Sequence, residues 1–405
     1  MAAAGFVELD FEDFHRDELP RWIAAGRGAL AARAAGRLGS LGLQLPGGEA
    51  FTYRPAAGGV EIARGGGGAD TLVGLDAEAW QGLVHDYESA PGLLYAGRVH
   101  CLRGDAMQFV AWEPALRALY QGRPVYDPEA ALLDRAGCPL DVERCFAPDE
   151  PSVELAHFLA TTGYLFVRGA FSADEVDAFR REAEELRREA VKGDRLSWWA
   201  TDASGREILC RVTRAAAKPR LGSLVGDARL RALADLADPR LVSREGEGQG
   251  GVTVIYKNPG IAEGLSDLPW HRDCGMGGHA VMCPVLLCSV YLTDATPETG
   301  ELVFLPGSWR ASCGYMDAST SPPRAAHFAA RPGDVSVHYG DVMHAAPPPQ
   351  RSDRPVYRVS AVTGFALPGA RHHRGEKSYN DVLHQRGDGQ IEHLTRVARR
   401  NSAPV

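Results

Sequence analysis

Between Val252 and Phe365 the chain breaks into short runs rich in Val, Leu and Tyr, parted by turns that carry Pro or Gly. Runs this short, spaced this evenly, read as strands, and their number suggests a jelly-roll barrel (a double-stranded β-helix). Three polar residues stand out within them. His271 and Asp273 lie two apart on an extended segment, so their side chains share one face of a sheet. His344 lies far along the chain, near the end of the same region. Two imidazoles and a carboxylate brought together would form a 2-His-1-carboxylate face. Such a face leaves half of an octahedron open, as a non-haem Fe(II) oxygenase requires for its co-substrate and O2.

The rest of the chain sets bounds. It has 405 residues, enough for two or three domains. At 45% hydrophobic and 24% charged it reads as a globular protein, and a net charge of -8 gives no reason to expect a nucleic-acid partner. No run of about 18 apolar residues is present, so no membrane span is expected. The start lacks a basic segment followed by an apolar one, so a cytoplasmic location is expected. The 8 cysteines include no Cys-x-x-Cys pair, which argues against a zinc ribbon and for reduced thiols.

The Pro- and acid-rich stretch Cys145 to Pro151 reads as a linker. It divides the chain into an α+β domain over 1–148 and a second domain over 149–405, α+β overall. The first part shows an amphipathic helical pattern from Phe11 to Ala35, strand-like runs at 51–53, 60–62 and 71–73, and a helix from the N-cap Asp76 to Tyr87. A strand at 96–101, a turn at 103–105 and a helix at 112–120 follow. Gly65 to Gly68 reads as a flexible loop tip. In the second part a helix is expected around 153–159 and a strand at 164–167. Ser172 and Glu175 form a capping box, opening a helix whose apolar face is Val176, Phe179, Ala183 and Leu186.

Several motifs occur in order: Phe158-Leu159-Ala160-Thr161-Thr162-Gly163-Tyr164, Tyr256-Lys257-Asn258-Pro259-Gly260, Trp270-His271-Arg272-Asp273, Thr299-Gly300-Glu301-Leu302, Leu305-Pro306-Gly307-Ser308-Trp309 and Pro332-Gly333-Asp334-Val335 before His344. Through them the segment from Ser152 to Phe365 resembles the phytanoyl-CoA dioxygenase family. The resemblance implies a jelly-roll oxygenase that uses Fe(II), 2-oxoglutarate and O2, with His271, Asp273 and His344 as both metal ligands and catalytic centre. It also implies release of succinate and CO2 and, most simply, hydroxylation of a C–H bond, with desaturation or epoxidation open. Asp273 argues against a halogenase, since those relatives lack the carboxylate.

2-Oxoglutarate needs a fixed cation for its distal carboxylate, and Arg offers bidentate geometry. The resemblance places this Arg shortly after the distal His, where Arg354 and Arg358 both fall. Arg354 precedes Pro355 in a polar turn. Arg358 lies in a strand-like run and shares a face with Ser360, so a guanidinium and a hydroxyl could bind one carboxylate. Arg358 with Ser360 is the favoured pair, and Lys257 is a further candidate. The Pro-rich Ala345 to Pro349 departs from the family pattern, which leaves Arg354 open.

Other polar residues have plainer readings. His338 reads as a hydrogen-bonded barrel residue, Cys274 as a small apolar neighbour of the ligands, His279 as a loop residue, and His372 with His373 as a solvated basic turn. Trp198 and Trp199 read as core. Asp70 to Gly122, with Gly97 and Arg103-Gly104-Asp105, resembles sterol-carrier-protein-like domains, which would favour a lipid-like substrate. A small-molecule substrate fits equally, and the oligomeric state is not readable. Two rival readings are a lipid- or acyl-CoA-binding protein on a degenerate barrel and another cupin-type metalloenzyme. The intact triad argues against the first, and Arg358 discriminates against the second.

Overall fold

A computed structural model describes residues 7–194, 196–243, 251–263, 268–273, 285–317, 320–351, 358–368 and 394–402. The first unit opens with a helical run from Phe11 to Ala35. It kinks at Gly26, whose φ of 108° is open to glycine at no steric cost. Strands β1 (Leu41–Gln44), β2 (Ala50–Ala56), β3 (Gly59–Arg64), β4 (Thr71–Leu75) and β5 (Val99–Arg103) follow. They form one sheet in the order β3-β2-β1-β4-β5, with β1 and β4 parallel. Between β4 and β5 lie α1 (Ala77–Val84) and α2 (Ala90–Tyr95), and α3 (Ala106–Gln121) closes the run. The core is filled by fully buried aromatics: Phe14, Tyr53, Trp80, Phe109 and Trp112.

The expected helix from Asp76 is present, with the Asp76 carboxylate accepting from the Ala79 amide at 2.6 Å. β1 and α2 were not expected. α2 carries Pro91 and Gly92, which read as breakers. Ser89 caps it, and a Pro in the first helical turn lacks only an N–H that would go unbonded anyway. The stretch that reads as a linker is pinned in place. Phe146 is buried, its amide donates to Phe166 O at 2.8 Å, and its carbonyl accepts from Arg168 N at 2.8 Å.

In the second unit, α4 (Ser152–Thr162), β6 (Tyr164–Val167) and α5 (Ala173–Glu189) stand where the sequence places them. β7 (Ser197–Asp202) and β8 (Glu207–Val212) were not expected. α6 (Ala228–Asp235) and the short β9 (Val242–Ser243) follow. The remaining strands are β10 (Val252–Lys257), β11 (Ile261–Glu263), β12 (Leu268–His271), β13 (Leu286–Tyr291), β14 (Val303–Phe304), β15 (Ala326–His327), β16 (Val335–Tyr339), β17 (His344–Ala346) and β18 (Arg358–Ala366).

They build two antiparallel sheets, as a jelly roll does. The larger runs β11-β7-β8-β10-β18-β13-β16-β6, with β9 on β18, and the smaller runs β12-β17-β14-β15. A last helix, α7 (Leu394–Asn401), leaves the second unit and buries Leu394, Val397 and Ala398 in the core of the first. Among the described residues no helix is long and apolar enough to cross a membrane. The six described cysteines are free thiols.

Candidate metal centre and co-substrate floor

His271 ends β12 and stands directly across from His344, the first residue of β17. Their ring centroids are 4.2 Å apart. Asp273 follows just past the strand end. His271 Nε2 lies 3.6 Å from Asp273 Oδ1, and His344 Nε2 lies 3.7 Å from Asp273 Oδ2. The donor atoms of the three residues all fall within 4.8 Å of one another. The structure therefore brings together all three residues that the sequence singled out.

The other ring nitrogens complete the picture. His271 Nδ1 lies 2.8 Å from the Pro269 carbonyl, and His344 Nδ1 lies 3.0 Å from the Val342 carbonyl. A carbonyl only accepts, so each Nδ1 carries a proton, and each Nε2 is the nitrogen on the Asp273 side, free to ligate a metal from the neutral ring. Burial pushes His344 down to about 3, so its imidazole is neutral near pH 7. Desolvation works against the Asp273 carboxylate, but the imidazoles around it, with hydrogen bonds to His271 and His338 among the causes, hold the group well below the usual carboxylate range. Two neutral imidazoles and an ionised carboxylate are what a divalent ion requires of its ligands. The residues present fit the metal.

His338 on β16 is a hydrogen-bonded barrel residue, and its partner is the ligand carboxylate. Its Nε2 lies 3.2 Å from Asp273 Oδ2, and its ring centroid lies 4.7 Å from that of His344. Alternation along β16 would place Ser336 on the same face. There the Ser336 hydroxyl meets the Tyr291 hydroxyl at 3.2 Å.

Arg358 opens β18, the strand at the middle of the large sheet. Lys257 on β10 pairs with it in register, and Ser360 pairs with Ile255 on one side and Tyr291 on the other. Arg358, Ser360 and Lys257 are all buried. Burial raises the Tyr291 phenol, while the Arg358 charge pulls it the other way. Lys257 Nζ donates to the Ala346 carbonyl at 2.5 Å, which joins the two sheets two residues beyond His344. Gly300, at φ +89°, makes room for it, since a Cβ there would sit 2.7 Å from Lys257 Cγ.

Tyr291 and Ser336 were not singled out from the sequence. The available signal was strand alternation with the residues that were. Trp198 is buried beneath Arg211, whose guanidinium sits 4.4 Å from the indole centroid. Arg354, Cys274, His279, His372 and His373 lie outside the described residues.

The family model described as phytanoyl-CoA dioxygenase (PhyH) matches residues 159–355. No curated relative matches the sequence. Among solved structures the chain is similar to AviO1 from Streptomyces viridochromogenes Tue57, at 21% identity over 55% of this chain and 97% of that one, with a TM-score of 0.43. It is similar to SnoN, the non-heme alpha ketoglutarate dependent epimerase from nogalamycin biosynthesis, at 22% identity over 56% and 89%, with a TM-score of 0.41. HygX from Streptomyces hygroscopicus, with nickel and 2-oxoglutarate bound, is 21% identical over 55% and 89%, with a TM-score of 0.40. The match over residues 159–355 takes in the stretch that holds His271, Asp273 and His344, so the three candidate ligands all fall within the part of the chain that is similar to the phytanoyl-CoA dioxygenase family.

Proposed function

We propose that the protein is an Fe(II)- and 2-oxoglutarate-dependent oxygenase that hydroxylates a C–H bond of a small organic or lipid-like molecule. The observation that carries this reading is the convergence of His271, Asp273 and His344, with both Nε2 atoms turned toward one carboxylate. These three residues would hold the iron. When bound, the metal supplies the redox chemistry that couples 2-oxoglutarate and O2 to substrate oxidation, with succinate and CO2 released.

The protein's own groups do the rest. Pro269 and Val342 carbonyls fix the two imidazole tautomers. His338 holds one oxygen of Asp273 by a hydrogen bond and so sets the rotation of the carboxylate. Arg358 and Ser360 would take the distal carboxylate of 2-oxoglutarate, a charge-assisted pair inside a buried site. Lys257 adds a second buried donor on the strand beside Arg358. The cluster of Phe304, Tyr164 and Phe328 behind the histidines keeps water from that side of the site.

The clamp is tested by steady-state kinetics of Arg358→Ala. Loss of a charge-assisted pair costs about 3 kcal/mol, so KM for 2-oxoglutarate should rise about 100-fold. An unchanged KM would move the clamp to Arg354.

A further inference from the structure

The residue between the two ligands of the first arm turns away from the metal. Arg272 is buried, and its Nη2 lies 3.0 Å from Glu113 Oε1 on α3 of the first unit. Its Nη1 lies 3.8 Å from Asp341 Oδ1. Asp341 in turn sits three residues before His344, in the turn between β16 and β17. Arg123, just past α3, reaches Asp341 Oδ2 at 2.9 Å and the Trp309 carbonyl at 2.6 Å. Arg117 pairs with Asp86, and its Nη1 lies 3.9 Å from Glu113. The other Glu113 oxygen accepts from the Ala90 amide at 3.1 Å, at the start of α2.

This is one network of three carboxylates (Asp86, Glu113, Asp341) and three guanidiniums (Arg117, Arg123, Arg272). Every member is largely buried, with side chains between 2% and 15% exposed. The charges balance, and each member has an opposite charge within 4 Å. The network grips both arms of the triad from outside: Arg272 between His271 and Asp273, and Asp341 ahead of His344. It matters most for Asp273. The ladder of β12 ends at His271 and its register is irregular between Leu268 and His271, so the backbone pairing given by β17 does not extend to Asp273.

We infer that Glu113 is a positioning residue for the metal centre: from the first unit it anchors Arg272, and through that backbone it holds His271 and Asp273 at ligating distance. The inference rests on the metal-site reading above. It gives the first unit a role in the chemistry without a ligand of its own, since α3 carries the anchor, braced by Asp86 in the turn after α1 and by Ala90 of α2. Asp341, gripped by Arg123 and Arg272, ties the His344 arm to the same anchor.

The test is a Co(II) titration of the full chain followed by visible absorption, with wild type, Glu113→Gln and the double variant Glu113→Gln/Arg272→Gln. The double variant keeps the network balanced at two charges of each sign, so it folds even where the single change leaves an unpaired buried charge. A Gln at 272 is too short to span to α3, so the anchor is lost all the same. Both variants should bind Co(II) about 10-fold more weakly than wild type, with a changed absorption band, while the double variant melts close to wild type. A double variant with wild-type affinity and band would overturn the positioning role. A wild-type chain that takes up no Co(II) would instead overturn the metal-site reading on which it rests.

Discussion

Two backbone carbonyls, those of Pro269 and Val342, decide which nitrogen of each site histidine faces the other ligands. The ligands themselves were legible because a His and an Asp two apart on a strand must share a face. The carbonyls were not, because they depend on local backbone path. Arg272 was less legible still. Its partner Glu113 is 159 residues away in the other unit, and no periodicity links them. A buried imidazole outside the site has a different consequence. His15 lies in the first core, stacked on Phe51 at 4.4 Å, with its Nε2 2.6 Å from the Tyr53 hydroxyl. Burial pushes it down to about 4, against the hydrogen bond to the Phe11 carbonyl. The unfolded chain takes up this proton near pH 6.5, and the folded chain only near 4. The unfolded state therefore binds more protons within that window, and stability falls as the pH drops through it, by about 3 kcal/mol at most. Thermal melts between pH 7 and 4 should show this slope, and His15→Phe should flatten it. An equal slope in the variant would assign it to other groups.

Among the elements, α5 was the most legible. Its four predicted apolar residues, Val176, Phe179, Ala183 and Leu186, are all buried. At its start the Glu175 carboxylate accepts from both the amide and the hydroxyl of Ser172 at 2.9 Å. Arg229 and these bonds hold Glu175 down to about 2. Ser172→Ala should cost about 1 kcal/mol and lower the melting temperature by a few degrees, read by circular dichroism; an unchanged midpoint would mean that Arg229 alone holds the helix start. Strands with mixed signals were lost. β1, Leu41-Gly42-Leu43-Gln44, is four residues long and carries a glycine, so it has neither the length nor the β-branched content of a strand pattern. It is fixed by its neighbours, β2 on one side and β4 on the other. β7 and β8 pair with each other around an irregular register at Trp198 and Trp199, which blurs their alternation.

Among the described residues the molecule has two large cores, and two of the links between them come from distant parts of the chain. α7 carries the chain back to bury Leu394 and Val397 in the first core, and the six-residue charge network ties α3 to both arms of the triad. The sequence read the two parts as separated by a linker. Hydrogen bonds pin that stretch to β6, and the join is a packed contact. Such long-range closure leaves no local pattern, whereas the barrel does, since each strand and turn writes its own. The barrel and the triad point to one chemistry, and that claim has a direct test. Under air, with Fe(II) and 2-oxoglutarate, the full chain should form succinate, with slow uncoupled turnover even before its substrate is known. His271→Ala and His344→Ala should each abolish it. Fe(II)-independent succinate, or none together with no metal binding by the intact chain, would contradict the account.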